Sequence, residues 1–160
     1  MFRTMRRIKN QINTEDAKKL LERERRGVLA VHGDNGYPFA IPVNYYYDVQ
    51  AQKIYFHGAK SGHKIDAIKN NPKVSISIID QEDVIEEELT TYFRSIILFG
   101  KAKILQDDDE IYQAVNALGL KYCDDEIAVE KEIQREWKAL CCVEIIIEHL
   151  TGKQAIELVK

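Results

Sequence analysis

The sequence predicts a mainly β protein, an antiparallel β-barrel with a few short helices at its periphery. Three strand-like segments follow one another between residues 28 and 57 with only turns between them. This order argues against a regular parallel βαβ layout. Later segments alternate apolar and polar residues or are rich in β-branched residues, which brings the expected total to about six or seven strands.

The first half of the chain is predicted to form one helix and then three strands. The predicted ranges are a helix from residue 13 to residue 26 that ends at Gly27, and strands at residues 28–31, 39–47 and 53–57. Asn13 is a suitable N-cap, because its side chain can accept hydrogen bonds from the first turn. The sequence Asp34-Asn35-Gly36 is typical of a hairpin turn. Pro42 has no N–H to donate, so its strand is expected at a sheet edge or a bulge.

The second half is predicted to add strands at residues 74–79, 94–105, 140–147 and 154–159, and helices from Asp107 and over residues 127–137. The helix after Asp107 repeats its apolar residues at helical spacing and has a candidate end at Gly119. Gly100, inside the longest strand, indicates a bulge or a tight bend. The acidic stretch over residues 82–88 is expected on a loop or a solvated face, and Thr151-Gly152 is expected to turn the chain into the last strand.

Size, charge and cysteine content restrict the class of protein. A chain of 160 residues is expected to form a single domain over residues 1–160. A formal net charge of −3 gives no general electrostatic reason to expect nucleic acid as a partner. No apolar run approaches the ~20 residues of a membrane span, and no apolar signal core follows the basic start, so we expect a cytoplasmic protein.

The three cysteines are expected to be reduced, buried thiols, because no Cys-x-x-Cys pair or Cys/His zinc spacing occurs. Cys141 and Cys142 are adjacent, so in a strand their side chains would point to opposite faces. No metal site is predicted.

Residues 56–64 contain the strongest functional signal in the chain. Two glycines, a serine, two histidines and two lysines gather where a strand ends and a short helix begins, and this helix must stop before Pro72. Free N–H groups and the positive end of a helix dipole make such a junction suited to a phosphate. The spacing matches neither a P-loop nor a dinucleotide fingerprint, so a phosphate here would belong to a different cofactor.

Three segments, in this order, resemble the pyridoxamine phosphate oxidase-like, FMN-binding split β-barrel family. They are residues 40–45 (AIPVNY), 57–72 and 94–102, and the closing Thr151-Gly152-Lys153 also fits. Within the family, the chain looks most similar to the nitroimidazole-resistance proteins. The resemblance covers nearly the whole chain and implies a split barrel with Greek-key-like antiparallel strands. It also implies a homodimer that holds two FMN molecules at the subunit interface.

The resemblance further implies which residues bind the cofactor. Lys64 matches the family's phosphate-binding lysine, and His63 stands where the oxidases carry a phosphate-binding arginine, although imidazole is a weaker substitute. The other implied contacts are Ser61 and Gly62 at the phosphate, Pro42, Val43 and Asn44 along the flavin ring, His57 and Gly58 at the strand end, and Ser95 and Ile96 on a later strand.

Each of these assignments has a plainer alternative. Lys64 could be a solvated surface lysine. His57 is the candidate catalytic residue, because its position in the nitroimidazole-resistance proteins lies by the reactive face of the flavin, where an imidazole could deliver a proton. A histidine at a strand end is, however, more often a structural residue. Trp137 could cover the flavin from the second subunit or belong to the core.

The function expected from these features is an FMN-dependent reductase that passes electrons to a small electron-poor acceptor such as a nitro-aromatic. The alternatives are a flavin-binding or redox-sensing dimer without turnover, a pyridoxamine phosphate oxidase-type oxidase, and a barrel that holds heme or a deazaflavin. The last residues, 154–160, contain no arginine or histidine. Vitamin B6 oxidation is therefore disfavoured, because the vitamin-metabolising oxidases grip their substrate with such residues.

Overall fold

Eight strands in one antiparallel sheet and four α-helices make up the fold in the computed structural model, which describes residues 1–159. The strands are β1 (Gln11–Ile12), β2 (Arg26–His32), β3 (Pro38–Asn44), β4 (Tyr46–Asp48), β5 (Lys53–Ala59), β6 (Lys73–Ile85), β7 (Thr90–Ile104) and β8 (Leu140–Gln154). The helices are α1 (Thr14–Arg23), α2 (His63–Asn70), α3 (Asp108–Tyr122) and α4 (Glu126–Glu136). The predicted fold class, a mainly antiparallel β fold with peripheral helices, is confirmed.

The sheet runs in the order β3-β2-β6-β7-β8-β5-β4, and the short β1 pairs with β8. Its centre is formed by the long strands β6, β7 and β8, which are 13, 15 and 15 residues long. The β6–β7 and β7–β8 pairs make most of the ladder contacts. The curved sheet encloses the main apolar core on its inner face, and α3 and α4 pack against part of its outer face.

Two predictions about irregular strand positions are confirmed. The register of β7 against β8 shifts between Phe99 and Gly100. A Cβ at Gly100 would stand 2.5 Å from the carbonyl oxygen of Ile146, so only glycine allows this close approach. Pro42 lies on β3, which within the described residues pairs with β2 alone and forms one end of the sheet.

The predicted ends of two helices were wrong. The first helix stops at Arg23, because Glu24 is already extended, and Gly27 lies inside β2. There a Cβ would meet Ile76 Cγ2 at 2.7 Å, so Gly27 allows two strands to pack closely. Gly119 does not end α3 but lies inside it, where a Cβ would stand 2.6 Å from Val129 Cγ1. It lets α4 approach α3.

The predicted strand over residues 39–47 is divided into β3 and β4 at Tyr45. This side chain is fully buried and its hydroxyl donates to the carbonyl of Leu21 at 2.7 Å. The Tyr45 N–H donates to the hydroxyl of Tyr122 at 3.1 Å, while the ammonium of Lys121 donates to the Tyr45 carbonyl at 3.1 Å. The end of α3 therefore forms hydrogen bonds with the backbone of Tyr45, where the ladder is interrupted. These bonds separate β3 from β4.

The predicted last strand, residues 154–159, was also wrong. β8 continues to Gln154, and a short 3-10 turn, Ile156–Leu158, follows it. Gly152 makes no turn, because it pairs with Ile96 and with Ile12 in the sheet. The acidic stretch is exposed, in agreement with the predicted loop or solvated face: its first residues extend β6, and Glu86–Glu88 form the turn that leads to β7.

The cysteine prediction holds for two of three residues. Cys141 and Cys142 are buried and point to opposite faces, the first into the main core and the second under α3 and α4. Cys123, directly after α3, is exposed.

Residues 1–159 contain no helix with the length and apolar character that a bilayer crossing needs, and no group of His, Cys, Asp and Glu arranged to hold a metal ion.

Candidate functional site

The junction between β5 and α2 brings Lys64 back over the end of β5. A Cβ at Gly58 would stand 3.4 Å from Lys64 Nζ, and this atom lies 5.3 Å from the centre of the Phe56 ring. None of the carboxylates in residues 1–159 forms an ion pair with this half-buried ammonium. A cation fixed in the first turn of a helix opposes the helix dipole, so the arrangement favours an anion at this point.

The start of α2 leaves its first N–H groups free for such an anion. The N-cap is Gly62, with φ 127° and ψ 168°, and no side chain in the described part of the chain caps the helix. This backbone conformation favours glycine. Ser61 and Gly62 are exposed. The predicted phosphate cradle is therefore open to solvent and lined by Lys64.

His63 is engaged elsewhere in this structure. Its Nε2 accepts the N–H of Asp34 at 3.2 Å, and its ring stacks on Phe39 with 4.2 Å between centroids and 18° between planes. His63 thus links α2 to the turn between β2 and β3, and its expected contact with a phosphate stays a prediction.

His57 lies on the outer face of β5, opposite the side chains that fill the core. Burial of part of the ring, and then the nearby Lys64 ammonium, lower its pKa, while Glu132 and Glu136 on α4 act in the opposite direction. The net shift is downward, so the ring is neutral at pH 7. The structure shows no hydrogen bond from another described residue that would orient it.

A cavity of about 380 Å³ opens beside His57, between β5, α3 and α4. Its walls are mainly apolar side chains of the two helices, and its polar side chains include His57, Asn44, Glu132 and Glu136. The structure therefore brings together two predicted site residues from separate strands, Asn44 of β3 and His57 of β5. The Asn44 amide oxygen accepts from Arg26 Nε at 3.2 Å.

The remaining predicted residues are divided between several places. Pro42 is exposed at the sheet edge, whereas the Val43 side chain is buried in the core, so only its backbone faces outward. Ser95 and Ile96 lie on β7 and pair with Lys153 and Gly152, at the opposite end of β8 from the partner of His57. Ile96 is fully buried. Within one protomer, this pair does not meet the Lys64 junction.

Trp137 follows the last residue of α4 and is half-buried. Its ring lies 6.5 Å from the ring of Tyr112 and lines a second cavity together with Lys60 and Lys138. Sequence reasoning missed both lysines as well as the two glutamates that face His57. The spacing of Glu132 and Glu136, one helical turn apart, indicated a shared face, but the sequence held no sign of what that face would meet.

Comparison with known protein families identifies the family of this chain. A family model described as pyridoxamine 5'-phosphate oxidase matches residues 13–154. The chain belongs to this family. The resemblance seen in the sequence is thereby confirmed. No curated protein sequence matches the chain significantly.

Several solved structures share this fold at low sequence identity. A candidate 5-nitroimidazole antibiotic resistance protein from Bacteroides thetaiotaomicron superimposes with a TM-score of 0.73 and 18% identity, over 90% of this chain and 86% of the other. The flavocytochrome Anf3 from Azotobacter vinelandii gives a TM-score of 0.75 and 18% identity, over 95% and 72%. A FAD-binding protein from Mesorhizobium loti gives 0.62 and 20%, over 90% and 94%. These likenesses establish the split-barrel fold.

Proposed function

We propose that this member of the pyridoxamine 5'-phosphate oxidase family is a homodimeric flavoprotein that binds FMN and passes electrons to a small electron-poor acceptor such as a nitro-aromatic. The observation that carries the proposal is the unpaired Lys64 ammonium, which lies over Gly58 beside the uncapped start of α2. A phosphate monoester matches both the free cation and the free N–H groups.

The family and its structural neighbours support a flavin as the group that carries this phosphate. A FAD-binding protein and a flavocytochrome are among the proteins that share the fold. The spacing of the junction matches no P-loop, which makes an ordinary nucleoside triphosphate a poor candidate. When bound, a flavin supplies hydride and electron transfer, and the protein supplies position, electrostatics and access.

In this proposal each part of the site has its own task. Lys64 and the first N–H groups of α2 hold the phosphate, while the exposed edge of β3 around Pro42 and Asn44 offers backbone groups to the ring. His57 supplies a proton to the reduced acceptor. Because its pKa is lowered, the protonated ring is a minor form at pH 7, and proton delivery by His57 should become more effective in mildly acidic solution.

The cavity beside His57 fits the body of the acceptor. Its apolar walls suit an aromatic ring, and Glu132 and Glu136 at its polar side disfavour an anionic substrate. A phosphorylated vitamin B6 compound carries a dianionic group, which these carboxylates would repel. An uncharged nitro-aromatic meets no such barrier.

The outer face of β2, β6 and β7 supports the homodimer. Exposed apolar side chains alternate with serines on it: Val28, Ile79 and Ile97 are 43%, 60% and 46% exposed, and Ser77 lies between Val28 and Ile97 in the ladder. Exposed apolar side chains grouped on one face are typical of an interaction site. A second copy on this face would also cover Ser95, which lies on the same sheet and is remote from the Lys64 junction of its own protomer.

A flavin-binding protein without turnover is the second candidate function. It is favoured by the absence, in the described residues, of a hydrogen bond that orients His57, since a general acid is usually held in place by a partner. Under this alternative, the flavin is bound as proposed, but its reoxidation does not depend on His57.

The test compares Lys64→Ala, His57→Ala and a control, Lys131→Ala, which removes an exposed lysine on α4. We expect Lys64→Ala to raise the Kd for FMN about 10- to 100-fold, the usual value of a charge-assisted contact, and Lys131→Ala to leave it unchanged. Flavin fluorescence measures this binding. Equal FMN affinity in the wild type and Lys64→Ala would show that the phosphate is held elsewhere.

Stopped-flow reoxidation separates the two candidate functions. The reduced, FMN-loaded protein is mixed anaerobically with a nitro-aromatic, and flavin absorbance is followed. Under the reductase proposal, His57→Ala keeps its flavin but is reoxidised about 100-fold more slowly, as expected for loss of a general acid. If the wild type does not react with the nitro-aromatic at all, the binding-only function is correct.

A further inference from the structure

A second cavity, of about 530 Å³, lies where the end of α2, the ends of β7 and α4, and the starts of α3 and β8 meet. We call it the lysine cavity. Its polar and aromatic lining consists of Lys60, Lys69, Lys138, Trp137, Gln106 and Asp108. None of these residues has a role in the proposed flavin reaction apart from Trp137, whose expected flavin contact is untested.

The charge of the lysine cavity is strongly one-sided. Three lysines line it, and Asp108 is its single acidic residue. The three lysines come from separate elements: Lys60 precedes α2, Lys69 lies in its last turn, and Lys138 follows α4. Within residues 1–159, none of the three forms an ion pair or a side-chain hydrogen bond. A concave surface with like charges that are not neutralised concentrates anions.

The lysine cavity adjoins the proposed phosphate site. Cys141 forms part of its wall and pairs with Gly58, the residue over which Lys64 lies. Burial raises the pKa of the Cys141 thiol, and the charges of Lys69, Lys60 and Lys64 oppose this rise. A phosphate held by Lys64 would therefore lie close to the lysines of the cavity.

The cavity also has the parts that recognise a heterocyclic base. Trp137 offers an aromatic face on which a base can stack, and Gln106 offers an amide that can both donate and accept hydrogen bonds. A simple anion would use only the lysines. The combination of cations, an indole and an amide matches a nucleotide.

We propose that the lysine cavity binds an adenosine diphosphate group, with the adenine against Trp137 and the phosphates among Lys60, Lys69 and Lys138. Two molecules carry this group to a flavoprotein: FAD, as the cofactor itself, and a nicotinamide dinucleotide, as the electron donor. The inference rests on the proposed function for its biological meaning, since it names what lies beside the flavin phosphate. The binding itself can be tested without any flavin.

Trp137 is the only tryptophan of the chain, so its fluorescence reports directly on the cavity. The first experiment titrates flavin-free protein with ADP and, separately, with inorganic phosphate. We expect ADP to quench Trp137 and to bind at least tenfold more tightly than phosphate. Lys69→Ala and Lys138→Ala should each weaken ADP binding about tenfold, and Lys131→Ala, the exposed control on α4, should not change it.

Asp108→Asn tests the sign of the charge effect. It removes the single carboxylate of the cavity while Asp107 remains as the N-cap of α3, so ADP binding should become tighter. Absence of ADP binding, or binding that is equally strong in the Lys69 and Lys138 variants, would overturn the inference. Phosphate binding as tight as ADP binding would overturn the assignment of Trp137 and the adenine.

The second experiment distinguishes the two sources of the group. If FAD is the ligand, FAD binds more tightly than FMN, and Lys138→Ala removes this difference while FMN affinity is unchanged. If the electron donor is the ligand, NADH or NADPH quenches Trp137 in the FMN-loaded protein, and Lys138→Ala weakens this binding. Failure of the proposed function has a different signature, namely protein that binds ADP in the cavity but neither FMN nor FAD.

Discussion

The two halves of the sheet differ in what covers their outer faces. Over β8 and β5, α3 and α4 cover the outward side chains: Cys142 is fully buried and Leu140 is 8% exposed. Over β2, β6 and β7 no helix in the described chain covers the outward side chains, and Ile79 and Ile97 remain exposed. The inner faces of both halves share one continuous core.

This difference separates two kinds of binding surface in one sheet. The covered half forms concave sites, because helices that rest on a sheet leave cavities at their edges. Both the cavity beside His57 and the lysine cavity lie there. The open half forms a broad apolar face that suits a large partner such as a second copy of the chain. The Lys64 junction follows β5, in the covered half.

The largest effect is expected from a charge placed under the helices. Cys142→Asp puts a carboxylate where burial already raises the pKa of the thiol to about 12, so an anion is strongly disfavoured. We expect a loss of about 4 kcal/mol or more in the free energy of unfolding, measured by urea denaturation. Circular dichroism shows whether the variant still folds.

The control for this variant lies on the same strand and the same face. Ile146→Asp introduces the same carboxylate four residues further along β8, where the side chain is 47% exposed and flanked by Lys53 and Lys101 of the neighbouring strands. The Ile146→Asp substitution should lower the free energy of unfolding by no more than about 1 kcal/mol. Equal losses in the two variants would show that α3 and α4 do not divide the sheet as described.

Local features of the fold were predictable because they depend on residues that are close to one another in the sequence. Asn13 and Asp107 cap their helices as expected, with side chains that accept the N–H groups of Asp16 and Glu110 at 2.8 and 2.9 Å. Pro42 predicts an edge strand, because a proline has no N–H to donate to a neighbouring strand at that residue. Each of these signals depends on the residue itself and on its nearest neighbours.

Features that depend on distant residues were not predictable. The break at Tyr45 is fixed by Tyr122, 77 residues later in the chain. The lysine cavity gathers Lys60 and Lys138 from separate loops, and their sequence neighbours give no sign of this. For the same reason the sequence offered only a family resemblance for Ser95, whose expected contact with a flavin stays a prediction.

The next largest effect is expected on the open half. Ile97→Asp places a charge at the centre of the exposed face of β7, and we expect it to weaken the proposed dimer about 100-fold with little change in the stability of each protomer. Ile127→Asp, which changes a 69% exposed residue on α4, is the control on the helical side and should leave the dimer intact. Sedimentation velocity measures both. A monomeric wild type, or a dimer that tolerates Ile97→Asp, would exclude this face as the interface.

The smallest effect concerns His57, on β5 in the covered half. Its pKa in the folded protein is lowered from 6.5, so the unfolded chain takes up the proton first as the pH falls. The contribution of His57 to stability is therefore complete above pH 6.5 and is lost progressively below it. The stability of His57→Gln should accordingly be less sensitive to acid in this range.

NMR titration of the His57 imidazole tests which neighbouring charges shift its pKa. Lys64→Ala should raise the pKa of His57, because a nearby positive charge is removed, whereas Glu136→Gln should lower it. If neither variant moves the pKa, His57 does not face both the Lys64 junction and α4, and the proposed path for its proton fails.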